Sequence, residues 1–297
     1  MAPGRGRPTL AVGVVSAGRV GAVFAAALAR AGHKVVAASG VSAASRRRAD
    51  ELLPGVPLLP PDETVAAADL VVLAIPDDAL AGTVRGLAAT SSFRAGQIVV
   101  HTSGAHGVDV LAPAADDGAL PLALHPVMTF TGRTEDLDRL AACCVGVTAA
   151  DGDEPAWHVG EALAVELGAE PVRIPQSVRP LYHAALAHGA NHLVTLVADC
   201  ADVLDTAGID AAGKLLGPLL SAALDNALRH GDRALTGPVA RGDVQTVRAH
   251  LSELGERAPQ VVPAYRAMAM RTARRANDAG LLADNTAAEL LEILERK

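Results

Sequence analysis

The segment Val12-Gly13-Val14-Val15-Ser16-Ala17-Gly18-Arg19-Val20-Gly21 has the residue types and spacing to hold a diphosphate. An apolar run leads into S-A-G-R-V-G, a form of the G-x-G-x-x-G turn that joins a first strand to a first helix. In that reading Gly18 lets the backbone approach the phosphates and Gly21 lets helix and sheet pack closely. The helix N-terminus offers free N–H groups and the positive end of its dipole. Ser16 stands where the pattern has its first glycine; a serine can make a similar turn, and its hydroxyl can touch a phosphate. The expected dinucleotide contacts here are Gly13, Ser16, Ala17, Gly18, Arg19, Val20 and Gly21. The competing reading, a glycine-rich turn without a ligand, is disfavoured because the segment is the first strand–turn–helix of a repeating βαβ pattern.

The end of the second strand decides which dinucleotide is read. An enzyme that uses NAD places Asp or Glu there for the ribose hydroxyls. Here the strand ends in Ser39-Gly40-Val41-Ser42, with Arg46, Arg47 and Arg48 following. No carboxylate stands there to repel a 2′-phosphate, and hydroxyls with a guanidinium would bind one. Ser39, Ser42 and Arg46 are the expected contacts, which favours NADP over NAD. At least one of the three arginines must be a solvated helix face.

Three polar clusters follow apolar runs, where open α/β sheets bind ligands. They are Ile75-Pro76-Asp77-Asp78, His101-Thr102-Ser103-Gly104 and His125-Pro126-Val127-Met128-Thr129-Phe130. Ile75, Pro76 and Asp77 are expected beside the cofactor, with Asp77 equally able to cap the next helix. Ser103 gains access from Gly104, whereas His125 is open between a substrate-facing and a loop role. Further on, Tyr182-His183-Ala184-Ala185-Leu186-Ala187-His188-Gly189-Ala190-Asn191-His192 places His183, Ala187 and Asn191 on one face of a helix. Carbonyl reduction needs a proton donor for the developing alkoxide, and His183 suits that near neutral pH. His188 and His192 are half of a metal motif whose Glu position is Gly189, so no metal is expected. Thr236 and Gly237, with Arg241, could bind a carboxylate or carbonyl, and Asp243 is expected to cap the next helix. The chain's lysines are Lys34, Lys214 and Lys297, none of them on the His183–Asn191 face.

The elements that must position these residues come in two blocks. Up to residue 175, strands at 10–15, 33–39, 69–75, 97–101, 120–124, 143–148 and 170–174 alternate with Ala-rich helices, with a short strand or loop at 58–61. This predicts a doubly wound, mostly parallel Rossmann sheet over residues 9–175. Residues 176–297 read as a smaller all-helical domain, with helices at 178–207, 211–230, 243–257, 261–279 and 286–295. Residues 1–8 read as a short disordered start. No apolar run reaches a membrane span, and the net charge of −7 with no basic run excludes a nucleic-acid scaffold. Cys143, Cys144 and Cys200 lack metal or disulfide spacing, consistent with a reducing, cytoplasmic setting.

In this order, S-A-G-R-V-G, A-I-P-D, H-T-S-G, H-P-V-M-T-F, Y-H-A-A-L-A-H-G-A-N-H and L-T-G-P-V-A-R-G-D resemble NADP oxidoreductases with a Rossmann-like domain and a C-terminal helical domain of unknown function. Actinobacterial members are the most similar. The wider superfamily includes pyrroline-carboxylate reductases, ketopantoate reductases and 6-phosphogluconate dehydrogenase. The resemblance implies a homodimer through the helical domain. It also implies, from PanG-type ketopantoate reductases, reduction of 2-dehydropantoate to pantoate. By the same analogy Asn191 falls where a substrate-binding Asn ends a K-x-x-x-N motif, whose lysine position is Ala187 here, so the proton donor moves to His183. The resulting expectation is NADPH hydride transfer to a small 2-oxo acid, with Ser103, His125, Asn191 and Thr236 orienting it. The alternatives are a cyclic imine reductase and a non-catalytic NADP-binding sensor or partner protein.

Overall fold

A computed structural model describes residues 8–296; all but the last residue of the expected disordered start lies outside them. The strands are β1 (Ala11–Val15), β2 (Lys34–Ala38), β3 (Leu70–Leu73), β4 (Ile98–His101), β5 (Leu120–Pro126), β6 (Cys144–Thr148) and β7 (Glu170–Arg173). The first compact unit, which runs to Ala187, also holds α1 (Arg19–Arg30), α2 (Ala43–Leu52), α3 (Pro61–Ala66), α4 (Asp77–Ala89), α5 (Ala112–Asp116), α6 (Glu135–Leu140), α7 (Glu154–Glu166) and α8 (Arg179–Leu186).

The strands form one sheet in the order β2-β1-β3-β4-β5-β6-β7. All neighbours are parallel except β5 and β6, which pair antiparallel from Ala123↔Thr148 to Pro126↔Val145. Strand side chains alternate between two buried faces, as the two-residue period requires. Val12, Val14, Leu70 and Val72 pack into the cluster that contains Val23, Phe24 and Leu28 of α1. Val71, Leu73 and Val99 pack on the other side with Leu80, Val84 and Leu87 of α4. Burying each such side chain contributes roughly 1.5–3 kcal/mol, which makes this sheet a rigid base for the loops at its carboxyl ends. Strand order reverses between β1 and β3, so a crevice opens there.

The second unit, described over residues 188–296, contains α9 (His192–Thr206), α10 (Ala212–His230), α11 (Gly237–Arg241), α12 (Val244–Arg257), α13 (Val262–Asp278) and α14 (Asp284–Glu295). Its core is small and Ala-rich: Val247, Ala269, Ala273, Ala276, Leu290 and Leu294 meet between α12, α13 and α14. Neither α9 nor α10 buries a residue.

Three expectations about elements need correcting. The first unit extends past residue 175 to Ala187, because α8 is anchored to the sheet by the fully buried Arg179. The expected helix over 178–207 is interrupted by a π turn at Ala187–Asn191, so the four-residue phase that aligned His183, Ala187 and Asn191 is broken. Residues 58–61 contribute only a single bridge, Ala38↔Leu58.

Candidate active site

The turn after β1 is held by its own backbone. Ser16 has φ +79°, the left-handed conformation in which a glycine would carry no strain. Its N–H donates to Ser39 Oγ at 2.8 Å, and the Ala17 N–H donates to the Ser39 carbonyl at 2.6 Å. No side chain caps the N-terminus of α1, which leaves its first turn able to receive an anion. Gly21 is obligatory for packing: a Cβ there would stand 2.1 Å from Ser16 O and 3.0 Å from Ala74 Cβ.

Several expected contacts have other partners. Gly13 lies inside β1 against α3, where a Cβ would meet Thr64 O at 2.5 Å, so its role is packing. Ala17 is fully buried with its amide bonded to Ser39. The Ser39 hydroxyl is buried and bonded to Ser16. Ser42 Oγ accepts the Ser45 N–H as the N-cap of α2, and Arg46 donates to the Val41 carbonyl. The arginine stems that converge are Arg19 and Arg48, both beside Gly132, where a Cβ would meet Arg48 Nε at 2.6 Å and Arg19 Cγ at 2.9 Å.

A cavity of about 400 Å³ opens at the carboxyl ends of β1, β3, β4 and β5. Ser16, Gly18, Arg19 and Val20 line it together with Ile75, Pro76, Asp77, Ser103, His125 and His183. Asp77 starts α4 without capping it. Gly104 keeps the centre open, since a Cβ there would lie 2.6 Å from His183 Cδ2 and 2.9 Å from His125 Nε2.

The floor rests on two side chains with no exposure, His101 and Arg179. The imidazole of His101 accepts the Ser103 N–H at Nδ1 (3.2 Å), so its Nε2–H donates to the Gly107 carbonyl (3.0 Å). Burial pushes its pKa down to about 3 and keeps it neutral. Ser103 Oγ accepts from the Ala105 and His106 amides, leaving its own proton to donate. Arg179 donates from one terminal nitrogen to Thr148 Oγ1 (2.7 Å) and from the other to the Ser103 carbonyl (2.8 Å). Its Nε has no partner, and no carboxylate lies within salt-bridge distance among the described residues. Burial lowers the Arg179 pKa to about 10, which still leaves it a cation at neutral pH. His125 Nδ1 lies 2.8 Å from the Tyr182 hydroxyl. Burial, then the Arg179 charge, then His183 press the His125 pKa down to about 4.

Arg179 and Tyr182 were not singled out by the sequence. The one available signal was their place in the stretch that leads into the histidine-rich patch. Asn191 and Thr236 belong to the second unit, where both are exposed. Thr236 lines a separate apolar cavity of about 670 Å³ with Leu196, Val203, Leu204, Tyr265 and Met268. Asp243 occupies the N-cap position of α12, but its carboxylate pairs with Arg241 instead of capping. That pairing also engages the guanidinium expected to meet a substrate carboxylate.

Known families divide the chain at a different point from the two compact units. Residues 3–126 match the Rossmann-like domain, and residues 143–272 match the domain of unknown function DUF2520. No curated protein matches the chain. Among solved structures, a proposed NADP oxidoreductase from Bacteroides fragilis shares the fold with a TM-score of 0.72 at 20% identity, over 89% of this chain and 98% of that one. An imine reductase from a Pseudomonas species aligns with a TM-score of 0.58 at 18% identity, over 96% and 92%. A Plasmodium falciparum pyrroline carboxylate reductase with NADP bound aligns with a TM-score of 0.58 at 10% identity, over 97% and 99%. At these identities the likeness is one of fold.

Proposed function

We propose that this Rossmann-like/DUF2520 chain is an NADP-dependent oxidoreductase that reduces a small 2-oxo acid, with 2-dehydropantoate (ketopantoate) the first substrate to test. The observation that carries this reading is the shared cavity: the glycine-bearing turn at α1 and the Ser103–His125–His183 cluster line one space. The uncapped α1 terminus and the close-packed Gly21 fit a diphosphate, with Gly18, Arg19 and Val20 against it and Ile75, Pro76 and Asp77 alongside. Arg19 and Arg48 supply positive charge for a 2′-phosphate in place of Ser39, Ser42 and Arg46. Bound NADPH would supply hydride to a carbonyl carbon. Ser103 donates a hydrogen bond to the substrate, and the buried Arg179 behind it favours an anion such as a carboxylate. Oxidation of NADPH by ketopantoate tests the reading directly. Tight NADPH binding without turnover of any oxo acid would remove the substrate claim.

A second reading is reduction of a cyclic imine, favoured by the imine reductase and pyrroline carboxylate reductase among the proteins that share this fold. Side-by-side turnover of a 2-oxo acid and a cyclic imine decides between the two. We also propose a homodimer formed through the helical unit. Leu215 and Leu219 on α10 are 51% and 64% exposed, and Leu224 and Leu228 are 54% and 80% exposed. At 100° per residue the two pairs lie on opposite sides, so packing along one face of α10 would leave the other pair bare, and a second copy could cover both.

A further inference from the structure

We infer that His125 and Tyr182 form a proton relay supported by Arg179, and that the proton reaching the substrate leaves from His125 Nε2. This deepens the reductase reading and rests on it.

The hydrogen-bond inventory orients the pair. Among the described residues, the Tyr182 hydroxyl has one hydrogen-bond partner, His125 Nδ1 at 2.8 Å. If the phenol donates to Nδ1, the hydroxyl proton is satisfied and the Nε2–H is left to whatever occupies the cavity. If Nδ1 donates instead, the phenolic proton has no protein acceptor. The first arrangement puts the imidazole proton on Nε2. That nitrogen faces the opening kept by Gly104, 2.9 Å from where a Cβ would stand. Tyr182 is seated for this role over Gly146, where a Cβ would come within 2.7 Å of the hydroxyl. The Arg179 guanidinium carbon lies 5.9 Å from the Tyr182 ring centroid. His183 lines the same cavity and packs edge-on to His125, but its ring has no hydrogen-bond partner among the described residues to fix its tautomer.

The step balances as follows. A bound reduced nicotinamide dinucleotide gives hydride to the carbonyl carbon and is oxidised. The carbonyl oxygen takes the proton from His125 Nε2 as the C=O π bond opens. Nδ1 takes the phenolic proton, so the imidazole ends neutral and Tyr182 ends as phenolate beside the Arg179 cation. A solvent proton restores the phenol after product leaves. An alkoxide is a stronger base than a phenolate, so the transfer runs downhill. For an imine the same proton goes to nitrogen.

The charged and titratable groups around the relay are Arg179, His183, Asp77, His101, Cys143 and Cys144. Arg179 and His183 both oppose protonation of His125, and Asp77 favours it. The relay therefore works with neutral His125 and protonated Tyr182. Reduction should be flat between pH 6 and 8. A donor that had to be an imidazolium would instead lose rate as pH rises through the ordinary histidine range.

Nitrogen-15 NMR of the cofactor-free full chain tests the relay independently of turnover. The expected result is His125 protonated on Nε2 and bare on Nδ1 from pH 8 down to about 5, with Tyr182→Phe altering that signal. A proton on Nδ1, or imidazolium at pH 6.5, overturns the proposal. In kinetics, Tyr182→Phe should lower kcat by roughly 100-fold with the NADPH Kd unchanged, while His183→Gln keeps the flat pH profile. Wild-type-like kcat in Tyr182→Phe overturns the relay. Absence of NADPH oxidation by wild type with every carbonyl and imine would remove the reductase reading alone, since the NMR arm still decides the pair.

Discussion

At the residue scale, the cavity brings one strained residue and one buried charge together. Ser16 holds a left-handed backbone without being glycine. Ser16→Gly should raise stability by about 1 kcal/mol, measured by urea unfolding; an unchanged or lower midpoint would show that the serine is held there at no cost. Arg179 depresses the His125 pKa through its charge, second in weight to burial. Replacing it with Met, which keeps length without charge, should move that pKa upward from about 4, still short of its ordinary 6.5. A histidine titration followed by NMR reads the shift. Ser103 and His125 could be placed at the cavity from the sequence because polar residues after apolar runs mark strand ends, whereas His183 was reached only through a helix face that the π turn interrupts. Arg179 was not legible, because charged side chains are almost never fully buried and no local pattern announces the exception. The His125–Tyr182 contact joins residues 57 apart, which no short motif can encode.

At the element scale, the strand–turn–helix at the start of the sheet depends on one close approach. Gly21→Ala would drive a Cβ into the Ser16 carbonyl. It should cost roughly 1–3 kcal/mol and weaken NADPH binding more than tenfold, both measurable on purified protein; retained affinity would separate the turn from the cofactor. The carboxyl ends of β4 and β5 carry a pH dependence. Folded His101 and His125 have pKa values of about 3 and 4, below the unfolded value near 6.5. Between those limits the unfolded chain binds more protons, so stability should fall as pH drops from about 6.5 toward 3. Denaturant midpoints across that window should be less steep in His125→Gln. Strand and helix positions were read well wherever apolar period was long, as in α1 and β3. The π turn at Ala187–Asn191 was invisible, since Ala-rich sequence carries no signal for one extra residue in a turn.

At the scale of the whole molecule, the helical unit buries little by itself. Leu219→Asp with Leu228→Asp should convert a dimer to monomer in light scattering while leaving NADPH binding in place. A wild-type monomer at micromolar concentration would end the homodimer proposal. The division into a sheet followed by helices was legible from the change of period near residue 175. Its end was not, because α8 is fastened to the sheet by the side chain of Arg179, a tertiary bond.

That fastening matters for anyone who trims the gene. The match to DUF2520 begins at residue 143, yet β6 and β7 complete the sheet that begins at β2. Ending a fragment at 142 would strip the seven-residue β5 of its antiparallel neighbour and offer a bare edge to other chains, a recipe for inclusion bodies. A fragment spanning residues 8–187 keeps every strand pairing and Arg179 in its socket, and should be recovered in the supernatant.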